Sequence, residues 1–312
     1  MHVDVDEWSW ERRAKQIFSA LRGLVDSPIP ACEAVADERP RPGLAYSRKI
    51  YAHGLTKKPD FSDKVSVFVT TVGSQSFELC SQFLEHQDCS FRTKVIANVA
   101  PMSVALQRML DDCETEFFVQ VDEDMLLYPH AVRTLFERIS GHPDNIALHM
   151  EYLYDTHLQR CIQGVKIFRT KIARRYPFRD VQGCETDQVR RFRRDGFDYV
   201  VSATPDPDDP YGNTFGLHGT NFSRETAYLR YFVLQQRHRC KPWEWRMLTV
   251  ELAERFRNEP SELNFFALGG ALAGLSLPLV EGEKDFRVYS RTPGFQELAE
   301  FYDAIAARKA SV

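Results

Sequence analysis

The sequence predicts an α/β fold: a mostly parallel sheet flanked by helices, followed by a helical C-terminal region. Three observations predict it. Short apolar runs rich in β-branched residues alternate with stretches of helical spacing from Val65 to Ile139, the order that builds strand–helix–strand crossovers. One run, Phe117-Phe118-Val119-Gln120-Val121, ends abruptly in Asp122-Glu123-Asp124, and open parallel sheets carry their ligand sites at the carboxyl ends of strands. Beyond a polar stretch from Ala203 to Gly212 the pattern turns mainly helical.

Residues 1–61 lack strand patterning: Glu7 to Val25 has helical spacing, and Pro28, Pro30, Pro40 and Pro42 mark an extended connector. Val65 to Thr71 then reads as a strand, Ser76 to Glu85 as a helix, Thr93 to Val99 as a strand and Met102 to Asp112 as a helix. Glu116 to Val121 is the strand with the acidic end, and Pro129 opens a helix through Ile139. Ile146 to Leu153 and Gln163 to Arg169 are further strands; Asp187 to Gly196 is a helix closed by its glycine, and Phe197 to Ser202 a strand. Pro205, Pro207 and Pro210 with Asp206, Asp208 and Asp209 make a flexible polar loop. Tyr228 to Arg237, Glu244 to Arg257, Glu262 to Leu275 and Gln296 to Lys309 read as helices, with a late strand at Asp285 to Tyr289. The chain divides accordingly into an N-terminal helical extension and connector, 1–61, a sheet core, 62–203, and a helical region, 204–312.

With 312 residues, 43% of them hydrophobic, the chain buries a substantial core. A net charge of −4 argues against a general nucleic-acid or membrane-surface binder. Arg190, Arg191, Arg193 and Arg194 are a local cluster on one helix, either a solvated face or an anion-facing surface. The seven cysteines are scattered without a Cys-x-x-Cys pair, which suits a reducing compartment rather than a disulfide framework or a zinc site. Met1 to Arg12 is polar and acidic, unlike a secretory signal. The longest apolar stretch, Phe265 to Val280, is short for a membrane span and carries Gly269, Gly270, Gly274 and Pro278, so we expect a buried helix. The expectation is a cytoplasmic protein with no transmembrane segment.

Residues two apart on a strand project to one face, which would bring Asp122 and Asp124 together. Two hard oxygen donors there suit Mg²⁺ or Mn²⁺, ions that commonly hold a substrate phosphate as well. The same residues also read as a solvated acidic turn.

Further along stands Gly183-Cys184-Glu185-Thr186-Asp187, running through Arg191 to Gly196-Phe197. Together with Val65 to Thr71, and with Ala105 to Leu110 leading into Asp122-Glu123-Asp124, this resembles a family 2-type glycosyltransferase of the GT-A fold. That family shows a first strand with a polar end, a helix before a strand ending in Asp-x-Asp, and a later acidic pair leading a helix that closes in Arg-x-x-x-x-Gly-aromatic. The resemblance covers roughly residues 62 to 203.

It implies a GT-A (Rossmann-like) nucleotide-sugar-binding core. The implied activity is metal-dependent transfer of a sugar from a nucleoside diphosphate sugar to a hydroxyl of a carbohydrate or other acceptor, with inversion. On this alignment Asp122 and Asp124 hold Mn²⁺ or Mg²⁺, and Asp122 also assists at the ribose. Thr70 and Thr71 lie against the nucleotide with Gly73. Asn98 stands where the family usually has the Asp that reads base or ribose, and Gln107 where Asn is commoner. Glu185 replaces the commoner Asp as general base, with Asp187 the reserve; a helix N-terminal carboxylate is the alternative role for Glu185. His218, in Gly216-Leu217-His218-Gly219, matches the C-terminal histidine that often completes the metal shell, or else is a loop histidine without a role. Residues 204–312 would face the acceptor, and the proline-rich loop would be a lid ordered by donor.

Three other readings compete. A haloacid dehalogenase-type phosphatase also places Asp-x-Asp after an apolar strand, but needs it near the start of its domain and a later Gly-Asp-x-x-x-Asp. Sugar-nucleotidyl transfer needs more glycine than Thr70-Thr71-Val72-Gly73-Ser74 offers. A catalytically silent nucleotide- or sugar-binding protein would keep the fold without the acidic groups.

Overall fold

The computed structural model describes residues 58–206, 213–219, 223–239, 247–279, 282–285 and 294–310. The expected helix at Glu7 to Val25 with its connector, residues 207–212 of the polar loop and residues 286–289 of the late strand lie outside the described residues.

β-Branched and apolar residues make Val65–Thr71 (β1) a strand buried along nearly all its length. Helix α1 (Ser76–Glu85), strand β2 (Arg92–Ala97), helix α2 (Met102–Asp112) and strand β3 (Phe117–Asp122) follow, with β1 lying parallel between β2 and β3. Next come β4 (Met125–Leu127), α3 (Ala131–Gly141), β5 (Ile146–Asp155), β6 (Arg160–Arg169), α4 (Thr170–Ala173), α5 (Cys184–Arg194), β7 (Asp198–Val201) and β8 (Gly216–His218). The sheet runs β2-β1-β3-β6-β5-β8-β4, with β7 also on β5.

Six of its eight strands point one way, so the sheet is mostly parallel and flanked by helices, as expected; β6 and β4 run against the rest. Strand β6 is reversed because only residues 156–159 join it to β5, too few for a crossover helix, and Gln159 adopts φ 52° in that turn. The three-residue strands β4 and β8 escaped the sequence reading, being too short to show a period.

Alternation along β1 and β3 sends side chains into two cores. On one face Val65, Val67, Val69, Phe117, Val119 and Val121 pack with Cys80 and Leu84 of α1 and Val132, Leu135 and Ile139 of α3. On the other, Phe68, Phe118 and Phe168 pack with Leu106, Met109 and Leu110 of α2 and with Cys184 and Phe192 of α5. Phe118 and Phe168 stack at 4.7 Å across the β3–β6 pair. Each such ring contributes roughly 1.5–3 kcal/mol by leaving water. This unit runs to Asn221 and also includes Gly282–Lys284, so the division expected after residue 203 falls inside it. The cause is β8, which pairs with β5 and β4.

The C-terminal region is helical, as expected: α6 (Arg224–Arg239), α7 (Met247–Asn258), α8 (Glu262–Ser276) and α9 (Phe295–Ala310). Helix α8 is apolar all round and is buried from Asn264 to Ala271, the fate expected for the longest apolar stretch. It starts on Ser261, whose side chain accepts from the Asn264 N–H. Gly270 and Gly274 let its backbone rest on α6: an added Cβ would stand 2.1 Å from Tyr228 O and 2.5 Å from Phe232 O. Among the described residues no helix is long and apolar enough to cross a membrane.

Candidate functional site

The acidic end of β3 is built differently from the sequence expectation. Asp122 is the last strand residue, and its Oδ1 accepts from Thr70 Oγ1 at 2.8 Å, its ladder neighbour on β1. Glu123 and Asp124 already belong to the turn into β4. Asp124 therefore does not share a strand face with Asp122, because alternation ends where the strand does. Glu123 is spent on the loop after β1: its carboxylate accepts from Thr71 Oγ1, from the Ser74 N–H at 3.1 Å and from the Val72 N–H at 3.3 Å. Gly73 turns that loop with φ 84°, a conformation L side chains rarely adopt.

Asp124 meets His218 instead. Strand β8 sets His218 opposite Asp155 of β5 and Met125 of β4. Its Nδ1 lies 3.1 Å from Asp155 Oδ2, and its Nε2 lies 3.6 Å from Asp124 Oδ2. Asp155 is fully buried, and its Oδ1 accepts from the backbone N–H groups of His157 at 3.1 Å and Leu158 at 2.7 Å. The backbone repeats the link, with Gly219 N–H donating to Asp124 O at 3.0 Å. A buried carboxylate at Nδ1 fixes the ring with Nε2 turned to Asp124, and metal-binding imidazoles are oriented in the same way.

These groups fit a divalent ion. Imidazole nitrogen with carboxylate oxygen suits Mn²⁺, and Mg²⁺ or Mn²⁺ bound beside a phosphate needs only one or two protein ligands, since water and phosphate supply the rest. Among the described residues no group of three or more His, Cys, Asp and Glu is placed to cage a metal, so Asp124 and His218 are a pair of candidate ligands rather than a closed cage. The Cys80 thiol reports the local field: burial, then Asp124, Asp122 and Glu123, push its pKa up to about 12. It stays protonated and inert.

The face of the sheet under α2 and α5 carries the second group. Lys166 of β6 lies opposite Gln120 of β3 and pairs with Glu185 Oε1, the two side chains being 15% and 21% exposed. Glu185 lies in the first turn of α5, which starts three residues earlier than expected. The left-handed Gly183 (φ 72°) turns the chain, and Glu283 Oε2 accepts from the Cys184 N–H at 2.7 Å. Glu283 is buried, and its own N–H donates to Asp180 Oδ1 at 2.9 Å. Asp187 is bound at 2.8 Å by Arg191 one turn on, and Arg191 also donates to Pro177 O.

Thus Thr70 stands with Asp122 and Asp124 with His218, while Glu185 and Asp187 occupy the first turn of α5. Thr71 joins Glu123 instead. Gln107 is tied elsewhere: its Oε1 accepts from Phe178 N–H at 2.9 Å and its amide donates to Asp111 at 2.8 Å. Asn98, exposed with φ 55° at the end of β2, donates its N–H to Thr71 O at 2.9 Å. Sequence reasoning missed Asp155, Lys166 and Glu283. The first had a signal, the short stretch Tyr152-Leu153-Tyr154 ending in Asp; the second is a charge inside Val165-Lys166-Ile167-Phe168. Glu283 had none.

No family model matches the chain, and no curated protein matches it. Several solved structures are similar in fold. One is the mannosyltransferase PcManGT from Pyrobaculum calidifontis in complex with GDP-Man and Mn²⁺, 13% identical at a TM-score of 0.39, with 95% of this chain and 91% of that one covered. Another is S. aureus TarS 1-349, 14% identical at a TM-score of 0.38, with 68% of this chain and 81% of that one covered. A third is 4-diphosphocytidyl-2C-methyl-D-erythritol synthase from Anaerococcus prevotii, 8% identical at a TM-score of 0.37, with 51% of this chain and 94% of that one covered.

Proposed function

We propose that the protein is a cytoplasmic, metal-dependent GT-A glycosyltransferase that moves a sugar from a nucleoside diphosphate sugar to a hydroxyl of a carbohydrate or other acceptor, with inversion. The observation that carries this reading is His218, clamped by the buried Asp155 and presented to Asp124 at the carboxyl end of the central strands. Thr70, Thr71 and Asn98 stand at the ends of β1 and β2, where a nucleotide would lie. Asp124 and His218, with Asp122 beside them, would hold Mn²⁺ or Mg²⁺, which when bound offsets the charge growing on the leaving diphosphate.

Glu185 serves as the base. The acceptor oxygen attacks the anomeric carbon and its proton passes to the Glu185 carboxylate. The bond from that carbon to the diphosphate oxygen breaks, its electron pair staying on the oxygen. One displacement inverts the anomeric centre. Asp187, committed to Arg191, is the poorer candidate.

The test is calorimetry of the full chain with UDP and GDP, with and without Mn²⁺, followed by Asp124→Ala. Binding that needs the ion and disappears in the variant is expected. Equal binding without Mn²⁺, or an unaffected variant, would remove the metal assignment.

A further inference from the structure

Lys166 is the one charged residue in the apolar run of β6. Its neighbours Val165 and Ile167 fill one core and Phe168 the other, so alternation places Lys166 on the Phe168 side, under α5. There it lies directly opposite Gln120, two residues before Asp122 on β3. Its ammonium is held by Glu185 Oε1, with both side chains largely shielded from water. A shielded Lys–Glu pair gains little stability over apolar residues of the same size, so packing does not call for it.

A second observation points the same way. Gln120 is 3% exposed, and among the described residues its Oε1 has no hydrogen-bond partner. An acceptor left so is costly, and native structures keep few of them. The residue across the ladder, whose Cβ stands about 4.5–5.5 Å away in such pairs, is Lys166. An ammonium carries three N–H donors, enough to serve Gln120 Oε1 and an anion together.

We propose that Lys166 is a donor-responsive latch on Glu185. Without donor, the ammonium occupies the carboxylate oxygen that would take the acceptor proton. A nucleoside diphosphate arriving at the strand ends offers the ammonium a more highly charged partner. Lys166 then turns to the phosphate and to Gln120 Oε1, and Glu185 is released as base only when donor is present. This deepens the transferase reading and rests on it.

A double-mutant cycle on the full chain with Mn²⁺, read by calorimetry with UDP and GDP, tests the latch without needing turnover. Lys166→Met should weaken diphosphate binding by about tenfold, the loss of one charge-assisted contact. Glu185→Gln should strengthen it, by about fivefold, because the competitor for the ammonium is gone. Adding Glu185→Gln to Lys166→Met should then change affinity by less than about twofold. Should the gain persist without the lysine, plain charge repulsion explains it and the latch is wrong; no gain in the single variant also overturns it. Wild-type protein binding neither diphosphate would instead sink the transferase reading itself, and the latch with it. Lys166→Gln replaces Lys166→Met if the latter does not fold.

Discussion

Asp155→Asn tests whether the buried carboxylate exists to aim His218. Asparagine keeps an oxygen where Asp155 Oδ1 accepts from the His157 and Leu158 N–H groups, so the turn between β5 and β6 should survive. It replaces the other oxygen, which faces His218 Nδ1 at 3.1 Å, by an amide that donates. Nδ1 must then accept, the ring proton moves to Nε2, and the lone pair facing Asp124 is lost. Losing a partner of this kind typically lowers metal affinity about 10–100-fold. Stability should fall by only about 1–3 kcal/mol, one charge-assisted hydrogen bond. Asp155→Ala makes the contrast: it also removes the acceptor of two backbone N–H groups, each at about 1–3 kcal/mol, so roughly 2–6 kcal/mol in addition. The assay is Mn²⁺ titration calorimetry with saturating nucleoside diphosphate, beside urea unfolding of both variants. If Asp155→Asn binds Mn²⁺ within twofold of wild type, His218 is no metal ligand and its two carboxylate contacts are merely structural.

Two further outcomes concern the frame around the site. His130, at the start of α3, has its pKa held below the ordinary histidine range chiefly by burial; the unfolded chain therefore takes up a proton first as pH falls, and the folded state loses stability from about pH 6.5 downward. His130→Gln should accordingly lose less melting temperature than wild type between pH 7.5 and 5, and equal losses would rule this out. Gly270→Ala would drive a methyl to 2.1 Å from Tyr228 O in the helical region, and should cost about 1–3 kcal/mol or more in urea unfolding; an unchanged midpoint would mean that α6 and α8 do not touch as described.

Local pattern and long-range pairing divided the work unevenly. The alternation of Val65 to Thr71 and of Phe117 to Val121, and the helical spacing of Met102 to Asp112, are properties of neighbouring residues, so periodicity alone locates them. The all-apolar α8 announced its own burial in the same way. An apolar run breaking into carboxylates was equally legible, because it signals a strand leaving the core at the edge of a cleft. The resemblance to glycosyltransferases rested on such local runs, and so named Asp122, Asp124 and Glu185 without their partners.

What those residues touch was decided elsewhere. Asp124 sits past the end of β3, so the two-residue period said nothing about it. His218 reaches Asp155 across 63 residues only because β8, a strand too short to read, pairs with the far end of β5. Glu283 caps α5 from 99 residues away, and Lys166 found Glu185 because a short turn reversed β6 beside β3. By itself the sequence determined which of the longer segments are strands and helices and where charge leaves the core, since those follow from contacts between near neighbours. Only the tertiary structure decided which carboxylate holds a histidine, which is locked to a lysine and which to an arginine, because strand register and helix placement are settled by packing the whole unit at once.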